Sequence, residues 1–110
     1  MRPLKLRAWD KINKRMIYIE SFSQIPSNWK DVWILMQFTG LHDKHGKEIW
    51  EGDNVLLNGL KCTIVWNEDR PGFYYDTGYS KHQHQWSFTC DEAIECEVIG
   101  NIHENSELLS

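Results

Sequence analysis

The sequence is poor in cysteine and has no long apolar run, and each shortage excludes a class of protein. Its three cysteines are an odd number, so at least one thiol stays unpaired, which argues against a secreted disulfide scaffold. No apolar stretch approaches the roughly 18 to 20 residues that a membrane-spanning helix needs. The first residues, MRPLKLRAWDKINKR, lack the apolar core of a secretory signal. We therefore expect a cytoplasmic protein with no membrane partner.

Linker sequences are also missing. The chain has only three prolines in 110 residues, no low-complexity segment and no repeat of solenoid length. Its length predicts a single domain over residues 1–110. Within that domain we distinguish an N-terminal hairpin part, 1–38, from a barrel-like part, 39–110.

Motifs for metal, nucleotide or catalytic chemistry are absent or incomplete. The chain has no G-x-x-x-x-G-K-[ST] phosphate loop and no Cys-x-x-Cys pair. Zinc-type donors occur at His82, His84, Cys90 and Cys96, but five residues between the two cysteines is unusual for a structural site. No combination of base, nucleophile and oxyanion donor can be assembled. We expect no metal site, no cofactor and no enzymatic activity, with these four residues as the alternative for zinc.

The sequence is rich in short β-branched and aromatic runs separated by turn residues, a pattern typical of a mainly β fold with little helix. The runs LKLRAWD and RMIYIESF predict an N-terminal β-hairpin with its turn at residues 11–14. A single helical turn capped by Ser27 is expected next, and Trp33 to Phe38 predicts a strand covered on both faces. The later strands predict a small SH3-like barrel or half-barrel.

The stretch TGLHDKHGKEIWEGDNVLLNG is dense in turn residues, and we interpret it as backbone architecture rather than a ligand-binding loop. Aspartate side chains accept backbone hydrogen bonds in turns, and glycine permits a positive φ. Asn-Gly is the strongest short signal for a hairpin. The predicted structural turn residues are Asp43, Gly46, Gly52, Asp53, Asn58 and Gly59.

Charge is distributed unevenly along the chain. Residues 1–15 contain six basic residues and one acid, a net charge of +5, which leaves −9 for the other 95 residues. The basic hairpin could dock on the acidic body of another subunit, and fourteen aromatic residues would supply the interface. Alternatively, it could bind nucleic acid with an affinity that falls as salt rises. Both hypotheses use the same candidate contacts: Lys5, Arg7, Trp9, Lys11, Lys14 and Arg15.

Several segments, taken in order, resemble the YopX-like family of phage and prophage proteins: RAWD, MQFTGLHDKHGKEIWEGDNV, GLKCTIVW, GFYY and ECEVIGNIHENSELL. The resemblance covers nearly the whole chain and is strongest from Met36 to Val55 and from Glu97 to Leu109. The sequence departs from the family pattern at two positions. Residue 103 is histidine where tyrosine is more common, and residue 106 is serine where proline is more common.

The resemblance implies a small, mainly β, self-associating protein encoded by a phage or prophage, and it supplies no reaction. We therefore expect a non-catalytic protein-binding or assembly module. Its expected partners are further copies of the chain, or a phage or host protein. The alternative is a nucleic-acid-binding accessory protein that uses the basic hairpin.

Overall fold

The computed structural model describes residues 5–77 and 85–104, which form two antiparallel sheets with short helical turns between strands. The strands, in chain order, are β1 (Leu6–Asp10), β2 (Arg15–Ile19), β3 (Trp33–His42), β4 (Glu48–Trp50), β5 (Asp53–Leu57), β6 (Leu60–Asn67), β7 (Gly72–Asp76), β8 (Gln85–Ser87) and β9 (Glu97–Asn101). The α-helical turns are α1 (Trp29–Val32) and α2 (Cys90–Ala93), and a 3-10 turn spans Phe22–Gln24.

The spatial order of strands is β2-β1-β3-β4 in the first sheet and β8-β7-β6-β5-β9 in the second. The second sheet curls into a half-barrel, so the predicted mainly β, half-barrel fold is confirmed. The predicted boundary between residues 38 and 39 falls inside β3, whose first half pairs with β1 and whose second half pairs with β4. No helix in the described ranges has the length and apolar character needed to cross a membrane.

The N-terminal hairpin forms as predicted, with Leu6 opposite Ile19 and Asp10 opposite Arg15. Asp10 fixes the turn, because its carboxylate accepts the backbone N–H groups of Ile12 at 3.0 Å and Asn13 at 3.1 Å. Such side-chain bonds to the backbone two or three residues ahead are a common way for aspartate to stabilise a turn. The hairpin therefore ends in a well-defined tip at the edge of the first sheet.

Two local predictions in the segment after the hairpin are wrong. The residue before α1 is Asn28 rather than Ser27, and its side chain makes no capping hydrogen bond. Strand β3 is not covered on both faces, since Ile34 is exposed and Leu35 is only half-buried. The start of β3 is therefore partly uncovered, although Ile34 lines a cavity together with Trp66 of β6.

The main core lies on the concave face of the second sheet. Val55 and Ile64 are fully buried there, and Ile49 of β4 joins them from the first sheet. Each fully buried aliphatic side chain of this kind contributes roughly 1.5 to 3 kcal/mol. Helix α2 closes one end of this core with Ala93, and Cys96 follows it. Ile49 thus ties the two sheets together through a shared apolar core.

Gly59→Ala and Gly52→Ala should destabilise the fold unequally. Both glycines have positive φ, 82° and 88°, where an L-residue costs roughly 1 to 2 kcal/mol. A Cβ at residue 59 would meet nothing within 4 Å, whereas one at residue 52 would lie 3.1 Å from Sδ of the buried Met36. We therefore expect the larger loss of unfolding free energy for Gly52→Ala, measured by urea denaturation. Equal losses would contradict the close approach at Gly52.

Candidate functional site

A buried ion pair connects the N-terminal hairpin to the second sheet. Arg7 Nη2 donates to Asp53 Oδ1 at 2.7 Å, and each side chain is only 4% exposed. The same nitrogen lies 3.3 Å from the carbonyl oxygen of Glu51, and Arg7 Cζ lies 5.1 Å from the centre of the Trp50 ring. Asp53 Oδ2 accepts the backbone N–H of Trp50 at 2.8 Å. The pair therefore fixes β1 to the turn between β4 and β5.

Burial sets the electrostatics of this junction. Desolvation raises the pKa of Asp53, and the neighbouring Arg7 guanidinium offsets part of that rise. Desolvation also raises the pKa of Glu51, although its carboxylate accepts the backbone N–H of Gln37 at 3.2 Å. Arg7 Nε is buried without a hydrogen-bond partner. The charge of Arg7 is compensated inside the protein by Asp53.

The structure separates the six candidate contact residues of the hairpin. The sequence interpretation placed Arg7 and Trp9 among the contact residues of the hairpin. Both are buried in the structure, which corrects that interpretation. Their face of β1 packs against β4 and against the turn that follows β9. In that turn, His103 stacks on Trp9 with ring centres 5.6 Å apart. Lys5 pairs with Glu48. Three of the six stay at the surface of the hairpin turn: Lys11, Lys14 and Arg15.

The exposed end of the hairpin, residues 11–15, is termed the hairpin tip. Ile12, at its centre, is the most exposed large apolar side chain of the described residues, at 69%. Lys14 and Arg15 are exposed and Lys11 is half-buried. Arg15 Nε lies 3.9 Å from Asp10 Oδ2, and its side chain is mostly in solvent. The tip is therefore an apolar residue surrounded by cations.

The turn at Asp43 has the predicted architecture and an additional long-range role. Asp43 Oδ1 accepts the backbone N–H groups of His45 and Lys47 at 2.8 and 2.9 Å, and Gly46 has a φ of 82°. Asp43 Oδ2 accepts the N–H of Val98 in β9 at 2.9 Å. Desolvation raises the pKa of Asp43, but these three backbone donors outweigh it and lower the pKa below its usual value. Asp43, which the sequence predicted only as a turn residue, thus also binds β9, the edge strand of the second sheet.

A polar cleft of about 460 Å³ lies between the first sheet and β9. Its acidic groups are already engaged: Glu104 with the Asn101 amide at 2.9 Å, Glu48 with Lys5 and Asp53 with Arg7. Among the described residues that line it there is no cysteine, serine, threonine or histidine. The cleft therefore brings together charged groups that pair with one another within the fold.

A second groove, of about 550 Å³, lies between β3 and strands β7 and β8 and is termed the aromatic groove. Its aromatic walls include Trp66, Phe73 and Phe88, and the ring centres of Trp66 and Phe73 are 5.0 Å apart. Trp66 is 42% exposed. It also forms one wall of a smaller cavity that is lined by Ile34 and Ile102, both partly exposed. Sequence reasoning missed this surface.

Two acidic segments border the aromatic groove. Glu68 and Asp69 lie in the turn between Trp66 and Pro71, both of which line the groove. Asp91 and Glu92 follow Cys90, which lines the groove at the start of α2. These four acidic residues are termed the acidic rim. Arg70 follows Asp69 in the same turn, and the Glu92 carboxylate accepts hydrogen bonds from the backbone N–H and the hydroxyl of Thr89. The aromatic groove therefore combines aromatic walls with the polar side chains of Gln37, Thr39, Ser87 and Thr89, and acidic residues adjoin its lining in the sequence.

The zinc alternative gains no support from the described residues. Cys90 is exposed at the start of α2, whereas Cys96 is fully buried in the core. His82 and His84 lie outside the described residues. Across residues 5–77 and 85–104, no group of three or more His, Cys, Asp or Glu side chains could hold a metal ion.

The fold and this surface define a small, mainly β protein whose two sheets meet at a buried ion pair. A family model described as YopX protein matches residues 23–110, so the chain belongs to the YopX family, which is found in phage and prophage proteins. The resemblance stated from the sequence is confirmed. Among solved structures, the chain is similar to protein EF1440 from Enterococcus faecalis, at 26% identity, a TM-score of 0.71 and full coverage of both chains. A search of curated proteins finds no match.

Arg7→Met should destabilise the protein strongly, because it leaves the Asp53 carboxylate buried without its partner. Breaking one side of a buried ion pair costs about 3 to 5 kcal/mol. The double variant Arg7→Met/Asp53→Asn should lose less than the sum of the two single losses, since it removes both charges. Urea denaturation of wild type, the two single variants and the double variant measures this coupling.

The exposed pair of Lys5 and Glu48 gives the control, because Lys5→Met should cost no more than about 1 kcal/mol. Additive losses at residues 7 and 53 would contradict the coupling.

Asp43→Asn should destabilise the turn and β9 at neutral pH but not in acid. The asparagine amide keeps one acceptor oxygen and turns a donor toward the N–H of Val98, a loss of about 1 to 3 kcal/mol. A lowered pKa stabilises the native state above the usual pKa of the carboxyl, and this stability is lost as the pH falls through the folded-state pKa. Wild type and variant should therefore converge as the pH falls below the folded-state pKa of Asp43. Asp69→Asn, at an exposed turn, serves as the control.

Proposed function

We propose that this chain is a phage- or prophage-encoded, non-catalytic protein-interaction module that associates with further copies of itself in the cytoplasm of a bacterial host. The observation that carries the proposal is a complementarity within one chain. It presents a groove with aromatic walls and adjoining acidic residues, and elsewhere an exposed apolar residue with three basic residues close to it in the sequence. A second copy therefore supplies the chemistry that would cover each surface.

The aromatic groove has the composition of a binding surface. Single exposed apolar residues are ordinary on a protein surface, whereas contiguous apolar patches mark interaction sites. Trp66 connects two apolar cavities, one with Phe73 and Phe88 and one with Ile34 and Ile102. Tryptophan is among the residues that contribute most to interface free energy. These features support protein binding at this groove.

The reactive groups of the described residues support a non-catalytic role. Burial raises the pKa of the Cys62 thiol and raises that of Cys96 to about 11, so both remain protonated thiols at neutral pH. The buried carboxylates of Asp43 and Asp53 accept backbone hydrogen bonds or pair with Arg7.

Nucleic-acid binding has weaker support. With Arg7 and Trp9 buried and Lys5 paired with Glu48, the basic surface of the N-terminal hairpin is reduced to its tip. Each phosphate contact adds to the salt dependence of binding, so a small tip would give weak and strongly salt-sensitive affinity. The acidic remainder of the chain opposes phosphate from other directions.

Trp66→Ser should shift the protein from an oligomeric to a monomeric mass at micromolar concentration, because it removes the aromatic side chain shared by both cavities. Light scattering coupled to size-exclusion chromatography measures the mass. The matched control is Leu60→Ser, at the other end of β6 and similarly exposed at 40%, which should keep the wild-type mass. A wild-type protein that is monomeric at this concentration would overturn the proposal. Nucleic-acid binding by such a monomer, lost as salt rises, would favour the alternative.

A further inference from the structure

We infer that the hairpin tip of one copy docks in the aromatic groove of a second copy. This inference rests on the proposed self-association and deepens it, because it assigns the two surfaces that meet. The contact joins two different surfaces of the chain, so copies either exchange tips as a closed pair or add around a ring or along a filament.

The hairpin tip is built to present Ile12 in a fixed position. Besides its two side-chain bonds to the turn, Asp10 accepts the N–H of Lys14 on its carbonyl oxygen at 2.9 Å. The Asn13 amide also donates to Asp10 Oδ2 at 2.8 Å. A binding segment that is ordered before binding loses less conformational entropy when it docks. The tip therefore meets the requirement for an apolar anchor on a rigid support.

Only one of the most exposed apolar residues is flanked by cations. Among the described residues, the large apolar side chains more than 60% exposed are Ile12, Phe22 and Ile94. Phe22 lies beside polar residues and Glu20, and Ile94 lies between Glu92 and Glu95. Ile12, by contrast, lies next to Lys11 and close to Lys14 and Arg15 in the sequence. Its surroundings are the ones that suit the acidic rim.

The charges also disfavour the symmetric alternatives. Two aromatic grooves placed face to face would bring together two acidic rims, and two hairpin tips would bring together two sets of cations. Like charges across an interface reduce affinity, whereas opposite charges steer association and fix orientation. Placing the tip in the groove pairs Lys11, Lys14 and Arg15 with the rim of Glu68, Asp69, Asp91 and Glu92. Charge complementarity therefore selects this contact over the other two.

The test mixes two variants that each lack one surface. Ile12→Asp removes the apolar anchor of the tip and keeps the groove, and Trp66→Ser alters the groove and keeps the tip. Each variant alone should be monomeric, with association weakened by at least about tenfold, as expected for the loss of an interface anchor. Their equimolar mixture should form a one-to-one heterodimer, because one intact tip meets one intact groove. Phe22→Asp, on a side chain that is 64% exposed, should keep the wild-type mass.

The outcomes separate this inference from the proposed function. A wild-type oligomer that persists in Ile12→Asp but is lost in Trp66→Ser would leave self-association at the groove intact and overturn the tip as its occupant. Two folded monomeric variants that form no heterodimer when mixed would also overturn it. Far-ultraviolet circular dichroism and urea denaturation establish that each variant is folded. A monomeric wild type would remove the proposed function itself.

Discussion

The ion pair between Arg7 and Asp53 is the constraint on which the arrangement of the two sheets depends. Its partners are 46 positions apart in the chain, and both are almost completely buried. Desolvating two charges is unfavourable, so the pair depends on further hydrogen bonds, although Arg7 Nε has none. Trp50 donates its backbone N–H to Asp53, and Glu51 offers its carbonyl oxygen to Arg7. The ion pair therefore connects the hairpin, the β4–β5 turn and the second sheet, so a change to either partner should affect all three.

This pairing also determines which charges remain for other molecules. The uneven charge of the sequence, basic at the start and acidic after it, is partly neutralised within the chain by Arg7 with Asp53 and Lys5 with Glu48. The cations of the hairpin that remain are at its tip, and the remaining acids include the rim of the aromatic groove. Part of the basic hairpin is thus paired with acidic residues of its own chain. The proposed association between copies relies on the same attraction between charges, through the cations of the hairpin tip and the acidic rim.

Local sequence signals predicted the local elements well. The Asn58-Gly59 hairpin, the Asp43 turn and the N-terminal hairpin all depend on bonds between residues that are close in the chain, so a short stretch contains the whole cause. The half-barrel followed from the number and spacing of the strands. Ser27 failed as a cap because the helical turn begins one residue later than its pattern suggested. The exposure of Ile34 was missed because an apolar run does not reveal which neighbour covers it.

The sequence by itself determined the mainly β class, the family, the turns and the set of side chains that share each face of a strand. The alternation of β1 correctly grouped Lys5, Arg7 and Trp9, since a strand repeats every two residues. Only the tertiary structure decided that this face is largely buried, because its partners, Asp53 and His103, come from distant parts of the chain. The aromatic groove was hidden for the same reason: Trp66 shares a strand face with buried Ile64, and only the packing of β3 leaves it half open.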